Sequence, residues 1–221
     1  MECWIADTGK MNLSGQLNHL RALLPSIERE RMLKYIHPED SLRYATGRIM
    51  IRALAARNGG NGNVDILSGE YGKPYYASEN LPHFNLSHSG NLVVLSFGDI
   101  PSGIDVEQIK DINWQEIMTF FGEKEQTVLR SSERPLEDFY RIWTIREAFS
   151  KEEGLGLSVY EKNTVDFDYE TETVRYSGRV YRFRTIPLSG YMLSVCAEDL
   201  ENLKLTQISE TMWNSLIKSI S

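Results

Sequence analysis

The sequence predicts an α+β fold, made of two similar α+β subdomains in one chain of 221 residues. Two observations carry this. Each half opens on a short apolar strand, passes through helices of which one is long, and closes on a series of strand-length runs bounded by turn residues. Helices and strands grouped in this way belong to an α+β plan with antiparallel sheets, whereas a parallel sheet would need strand and helix to alternate. Residue identity between the halves is poor, so the repeat is one of element order. The expected division is 1–100 and 101–221, each with a long helix packed on an antiparallel sheet.

Residues 2–6 read as a strand. Gln16 to Leu24 and Ile27 to Tyr35 carry helical spacing, broken by Pro25 and Ser26. Pro38 opens a longer helix over about 39–57, in which Leu42, Ala45, Ile49 and Leu54 recur at helical intervals until the Gly- and Asn-rich stretch 58–63 ends it. Strand-like pieces follow at 64–67, 74–77, 83–86 and 92–97. In the second half a strand at 103–107 precedes helical stretches at 114–121 and 123–129, then a long helix over about 136–153 that Gly154 stops. Strands are expected at 164–167, 173–176, 180–185 and 192–196.

Composition narrows the function classes. The chain is 41% hydrophobic and 25% charged, enough to bury a sizeable core. Its formal net charge of −7 offers no basic field for nucleic acid or an anionic membrane surface. No stretch approaches the length of a membrane span, and the amino terminus lacks a cationic region followed by an apolar run. Cys3 and Cys196 are too few for a disulfide framework and lack metal-ligand spacing, so free thiols in a reducing cytoplasm are expected.

The chemistry concentrates in three segments. In the strand Gly103-Ile-Asp-Val-Glu107, alternation puts Asp105 and Glu107 on one face and turns Ile104 and Val106 into the core. In the helix after Trp143, Glu147 and Lys151 lie one turn apart on one stripe. Packed together, strand and helix would converge three carboxylates and an ammonium. Such hard oxygen ligands suit Mg²⁺, which completes its octahedron with water and phosphate oxygens; Mn²⁺ accepts the same set. The third segment runs from Tyr71-Gly-Lys73-Pro to Phe84-Asn-Leu-Ser87-His88-Ser-Gly90. Here Ser87, His88 and Ser89 are expected in a tight polar turn, and Lys73 is held in a loop that presents its ammonium outward. Each segment alone has an ordinary explanation: a solvated strand face, a surface ion pair, a plain turn.

The ordered set of three, with the upstream stretch from Arg31 to Gly47 and the segment from Trp143 to Ser158, resembles the Sfp-type 4′-phosphopantetheinyl transferases over most of the chain. The resemblance implies the pseudo-dimeric fold of that family. It implies transfer of the phosphopantetheine arm of coenzyme A to a serine of an apo carrier protein, of the acyl, peptidyl or polyketide type, with release of adenosine 3′,5′-bisphosphate. Asp105, Glu107 and Glu147 then match the Mg²⁺ ligands. Glu147, or a metal-bound water beside it, is the implied base for the serine, and Lys151 serves the departing phosphate. Arg31, Arg43, Lys73, Ser87 and His88 match the residues that hold the coenzyme A 3′-phosphate, with Lys151 also on the coenzyme. The chain departs from the family at Glu28, where relatives often carry lysine, and at Tyr44, where a small hydroxyl residue is common. Glu28 is therefore expected to face solvent, leaving Arg31 most of the phosphate contact. Met118, Phe120 and Phe121 in the segment Trp114 to Leu129 offer a docking face for a carrier where they are exposed, and belong to the core where they are not. Because one chain supplies both halves, a monomer is expected.

Two other classes compete. A metal-dependent nuclease uses acids and lysine around Mg²⁺, but the acidic net charge and the helical spacing of Glu147 and Lys151 speak against it. A non-catalytic coenzyme A or carrier-binding module would not need Asp105, Glu107, Glu147 and Lys151 together.

Overall fold

The computed structural model describes residues 1–69, 71–156 and 165–220. The first half runs β1 (Glu2–Asp7), a 3₁₀ turn (Leu13–Gln16), α1 (Leu17–Ala22), α2 (Ser26–Met32) and the long α3 (Pro38–Arg57), then β2 (Ile66–Ser68), β3 (Pro74–Tyr76), β4 (His83–Ser89) and β5 (Leu92–Gly98). The second half runs β6 (Gly103–Gln108), α4 (Trp114–Ile117), a 3₁₀ turn (Met118–Phe120), α5 (Glu123–Ser131) and the long α6 (Pro135–Glu153). Strands β7 (Asp166–Asp168), β8 (Thr173–Tyr176), β9 (Arg179–Leu188) and β10 (Tyr191–Ala197) follow, and the described chain closes with β11 (Lys204–Gln207) and α7 (Glu210–Lys218).

The first sheet has the order β11-β1-β5-β4 and is antiparallel except for β11, which pairs parallel to β1. The second, β6-β10-β9-β8-β7, is antiparallel throughout, and β2 pairs with β3 in a hairpin. This is the expected α+β plan with one addition. The C-terminal segment, to which no element is assigned from the sequence, returns to the first half: β11 extends the first sheet, and Trp213, Leu216 and Ile217 of α7 bury against α3.

Strand alternation organises the layers. Trp4 and Ala6 of β1, with Val93 and Leu95 of β5, turn outward and receive α3 through Ala45, Ile49 and Ala53. Cys3, Ile5, Leu92 and Val94 turn inward and meet Ile104, Val106, Leu193 and Val195 of the second sheet. The opposite face of the second sheet, with Phe183 and Cys196, takes Ile145, Ala148 and Phe149 of α6. The molecule is thus layered helix, sheet, sheet, helix. Because Ile104 and Val106 belong to the central layer, Asp105 and Glu107 must lie on the α6 side of β6.

Both long helices begin with proline at their first turn, followed by acids that complement the helix dipole: Glu39 and Asp40 in α3, Glu137 and Asp138 in α6. Gly154 ends α6 in the left-handed region at φ 70°. Gly103 sets how closely β6 approaches α6. A Cβ built there would stand 1.8 Å from the Ala148 carbonyl oxygen and 2.5 Å from the Glu152 nitrogen. Only a residue without a side chain lets this strand lie against this helix.

Three local expectations are corrected. Ser87, His88 and Ser89 are strand residues of β4, paired with Val94, Val93 and Leu92, so the chain reverses only at Gly90 and Asn91. Lys73 does not point outward, because its ammonium donates to the Glu152 carbonyl oxygen at 2.8 Å, near the negative end of the α6 dipole. Glu28 does not face solvent: it is 3% exposed and bonded to two arginines of α3. The strand expected at 164–167 begins at Asp166 in the structure, and its first position, Thr164, lies outside the described residues, as do Leu157 and Ser158.

Candidate active site

Strand β4 is the edge of the first sheet and β6 the edge of the second. Side chains stitch these two edges together at a period of two. The Ile104 amide donates to Asn85 Oδ1 at 3.0 Å, Ser87 Oγ donates to Asp105 Oδ1 at 2.9 Å, and Ser89 Oγ donates to Glu107 Oε2 at 2.7 Å. The register is that of two strands in which alternate residues share a face. Across this seam runs the last part of α6, which brings Lys151 Nζ to 2.6 Å from Asp105 Oδ1 and 2.9 Å from Ser87 Oγ.

At the seam lies a cavity of about 340 Å³ lined by Leu86, Ser87, His88, Asp105, Glu107, Trp143, Glu147 and Lys151. That volume lies in the range of small-molecule sites. All four residues read from the sequence as an acid and base cluster therefore converge, together with Ser87 and His88. Trp143, Glu147 and Lys151 follow one another at four-residue spacing along α6, which puts them on one face of the helix.

Arg31, Arg43 and Lys73 lie outside this lining. Arg43 Nη1 donates to the Gly90 carbonyl oxygen at 2.8 Å and pairs with Asp40. Its cation also acts on the exposed His88, whose imidazolium is disfavoured first by desolvation against the neighbouring protein and then by Arg43. Arg31 is exposed, its guanidinium 5.5 Å from the centre of the Tyr44 ring. Met118 is half-buried, Phe120 is exposed, and Phe121 is core, beneath the Arg146 guanidinium.

The carboxylates differ in setting. Asp105 is 3% exposed; Oδ1 holds the ammonium and the Ser87 hydroxyl, while Oδ2 is buried with no hydrogen-bond partner among the described residues. A buried carboxylate oxygen without a partner is costly unless something neutralises it. Burial pushes the Glu107 carboxyl above the ordinary glutamate value, with the Ser89 hydrogen bond acting in the opposite sense.

Among the described residues no three His, Cys, Asp or Glu side chains form a ready-made metal cage. Mg²⁺ does not require one, since it is commonly held by one or two carboxylates, waters and substrate phosphates. An all-oxygen donor set with an orphaned Asp105 oxygen fits such an ion.

Two kinds of contact were not singled out from the sequence. Asn85, and the place of Ser89 on a strand face, carried a signal, the alternation of polar residues with Phe84 and Leu86 through β4, which assigning 87–89 to a turn obscured. The arginine partners of Glu28 carried one too: Arg48 and Arg52 stand one helical turn apart on α3, and both reach its carboxylate, Arg48 Nε at 2.8 Å and Arg52 Nη2 at 2.7 Å. Burial pushes the Glu28 carboxyl up, but the bonds from Arg52 and Arg48 outweigh it and leave the group below the ordinary glutamate value.

Comparison with known proteins assigns both halves of the chain to known families. Residues 12–98 match the family model for the 4′-phosphopantetheinyl transferase N-terminal region, and residues 101–196 match that of the 4′-phosphopantetheinyl transferase superfamily. The 4′-phosphopantetheinyl transferase Sfp of Bacillus subtilis (strain 168) is 35% identical over 136 residues, which are 60% of this chain and 61% of that protein. Another Bacillus subtilis 4′-phosphopantetheinyl transferase is 33% identical over 150 residues, 66% of this chain and 67% of the relative. The 4′-phosphopantetheinyl transferase gsp of Aneurinibacillus migulanus is 29% identical over 201 residues, 86% of this chain and 84% of the relative. The matched stretch thus spans somewhat under two thirds of Sfp and most of gsp. Two tandem family matches divide the chain between β5 and β6 and together cover most of it, and on that footing the chain belongs to the 4′-phosphopantetheinyl transferase superfamily.

Proposed function

We propose that this protein transfers the 4′-phosphopantetheine arm of coenzyme A to a serine of an apo carrier protein, releasing adenosine 3′,5′-bisphosphate. The observation that carries the reading is one cavity in which Asp105, Glu107, Glu147 and Lys151 meet Ser87 and His88 across the seam. Chemistry at a pyrophosphate asks for positioning and charge neutralisation more than for covalent participation, and this cavity supplies fixed charges of both signs.

In this reading the first subdomain, residues 1–100, holds the coenzyme A 3′-phosphate through Arg31, Arg43, Lys73, Ser87 and His88. The second, residues 101–221, supplies Asp105, Glu107, Glu147 and Lys151. Asp105, Glu107 and Glu147 would hold Mg²⁺, or Mn²⁺ in its place, and the ion when bound would act as a Lewis acid on the pyrophosphate oxygens. Lys151 is a donor already aimed into the site by Asp105 and Ser87, 2.6 and 2.9 Å away. Its ammonium neutralises the leaving phosphate as charge accumulates there. Glu147, one turn earlier on α6, takes the proton of the incoming serine hydroxyl. Lys73, now bonded to the carbonyl oxygen of Glu152, is a cation that a phosphate would draw away from a neutral partner.

The acceptor is a carrier domain of acyl, peptidyl or polyketide type, and Phe120, 61% exposed, is the apolar contact it would meet. Among the described residues no helix is long and apolar enough to cross a membrane. We place the enzyme in the cytoplasm as a monomer, with both halves of the cleft in one chain.

The test is intact-mass spectrometry of an apo carrier protein incubated with this protein, coenzyme A and Mg²⁺. One added phosphopantetheine, absent with EDTA and absent for Glu147→Ala, is the expected result. No gain on acyl, peptidyl and polyketide carriers alike, despite measurable coenzyme A binding, would overturn the transferase reading in favour of a binding module.

A further inference from the structure

Ser89 lies outside the cavity lining, yet its hydroxyl is committed on both sides. It donates to Glu107 Oε2 at 2.7 Å and accepts the Gln108 amide at 3.0 Å. The carboxylate of Glu107 and the backbone beside it are therefore held by one atom of the other sheet. The turn that follows Ser89 is itself fixed from both halves. Arg43 of α3 donates to the Gly90 carbonyl oxygen at 2.8 Å, and the Asn91 amide donates to the Tyr191 hydroxyl of β10 at 3.0 Å.

Glu107 stands near the end of β6, only partly buried, on a flexible side chain. Nothing in the strand itself selects the rotamer that turns its carboxylate toward Asp105 and Glu147. A hydroxyl donor to one oxygen removes that freedom and leaves the other oxygen for a ligand. We propose that Ser89 is a positioning residue that sets the Glu107 carboxylate for the divalent ion, acting across the seam from the first subdomain.

The inference rests on the transferase reading and on Glu107 as an ion ligand. It is distinct from the role given to Ser87, whose hydroxyl serves Asp105 and Lys151. Supporting groups that orient a metal-binding carboxylate typically change metal affinity by about 10–100-fold when removed.

The experiment measures Mn²⁺ affinity by electron paramagnetic resonance of the free ion, in protein saturated with coenzyme A and without any carrier. Ser89→Ala weakens Mn²⁺ by about tenfold or more, whereas Ser89→Thr, which keeps a hydroxyl, stays within about threefold of wild type. Ser89→Cys keeps the volume and gives up the strong donor, so it serves as a second variant should the alanine form fail to fold, and it too must weaken the ion. Unchanged Mn²⁺ affinity in the folded alanine or cysteine variant overturns the assignment, even where wild type modifies its carrier. Wild-type protein that modifies no carrier sinks the transferase reading instead, a result read in a separate assay. A fall in melting temperature with ion affinity intact would mark Ser89 as merely structural and would equally refute the proposal.

Discussion

Gly103→Ala tests whether the distance between β6 and α6 governs the chemistry. The added methyl would begin 1.8 Å from the Ala148 carbonyl oxygen, and real Cβ contacts essentially never fall below 3.0 Å. The helix must therefore retreat by at least about 1.2 Å, the difference between these two figures. The offending atoms are backbone on both sides, so no side chain can rotate away to absorb the clash. Overpacking of this kind costs roughly 1–3 kcal/mol, a loss of several degrees in melting temperature for a chain of this size. The larger effect falls on the site, because the same displacement carries Lys151 from Asp105. Their separation of 2.6 Å would open to about 3.8 Å if the helix moved rigidly along that line, beyond a hydrogen bond. A misplacement of about 1 Å in a catalytic arrangement can cost about a hundredfold. The assay pairs thermal melting by circular dichroism with the initial rate of carrier modification. We expect a folded protein with a rate down by about two orders of magnitude. A variant within about twofold of wild type in rate would refute the reasoning that Gly103 sets the active distance.

The remaining predictions concern single groups. Lys151→Met removes the ammonium that Asp105 and Ser87 aim into the cavity; carrier modification should fall by about 10²–10⁴-fold, with coenzyme A binding, followed by calorimetry, weakened by a much smaller factor. Glu28→Lys replaces the carboxylate between Arg48 and Arg52 with a third cation and should destabilise by about 3–5 kcal/mol in urea denaturation. Because the folded carboxyl of Glu28 is depressed, its contribution is fully present above the ordinary glutamate value and is lost as pH falls through the lower folded value. Glu28→Gln should accordingly flatten that part of the acid limb of stability against pH, measured by melting temperature from neutral pH down to about pH 3. Phe120→Ser, at a ring 61% exposed, should raise the KM for a carrier protein several-fold and leave the KM for coenzyme A unchanged.

What the sequence made legible followed from periodicity. The 2.0 and 3.6 residue repeats place Asp105 with Glu107 and Glu147 with Lys151, and the structure confirms that strand and helix lie together. Features that depend on contacts distant in sequence were not legible. Strand β11 joins β1 through a parallel pairing some 200 residues away, and short strands with mixed exposure carry little signal of their own. Reading Ser87-His-Ser89 as a turn followed its polar composition, whereas the register with Leu92 to Val94 makes it strand. An acid pointing toward the coenzyme A 3′-phosphate would repel it, which is why Glu28 reads as facing solvent. Its burial rests on Arg48 and Arg52, twenty and more positions along the chain. Lys73 was misjudged for a similar reason, since its acceptor is a carbonyl at the far end of α6.

The central claim is that the cavity at the β4 and β6 seam is where coenzyme A and its divalent ion meet the carrier serine. The most direct test is a crystal structure of the protein with coenzyme A and Mn²⁺, located by the anomalous signal of the metal. The account predicts one strong anomalous peak at coordination distance from Asp105 and Glu107, with the pyrophosphate between it and the Lys151 ammonium. An ion or a pyrophosphate bound away from these residues would contradict the account.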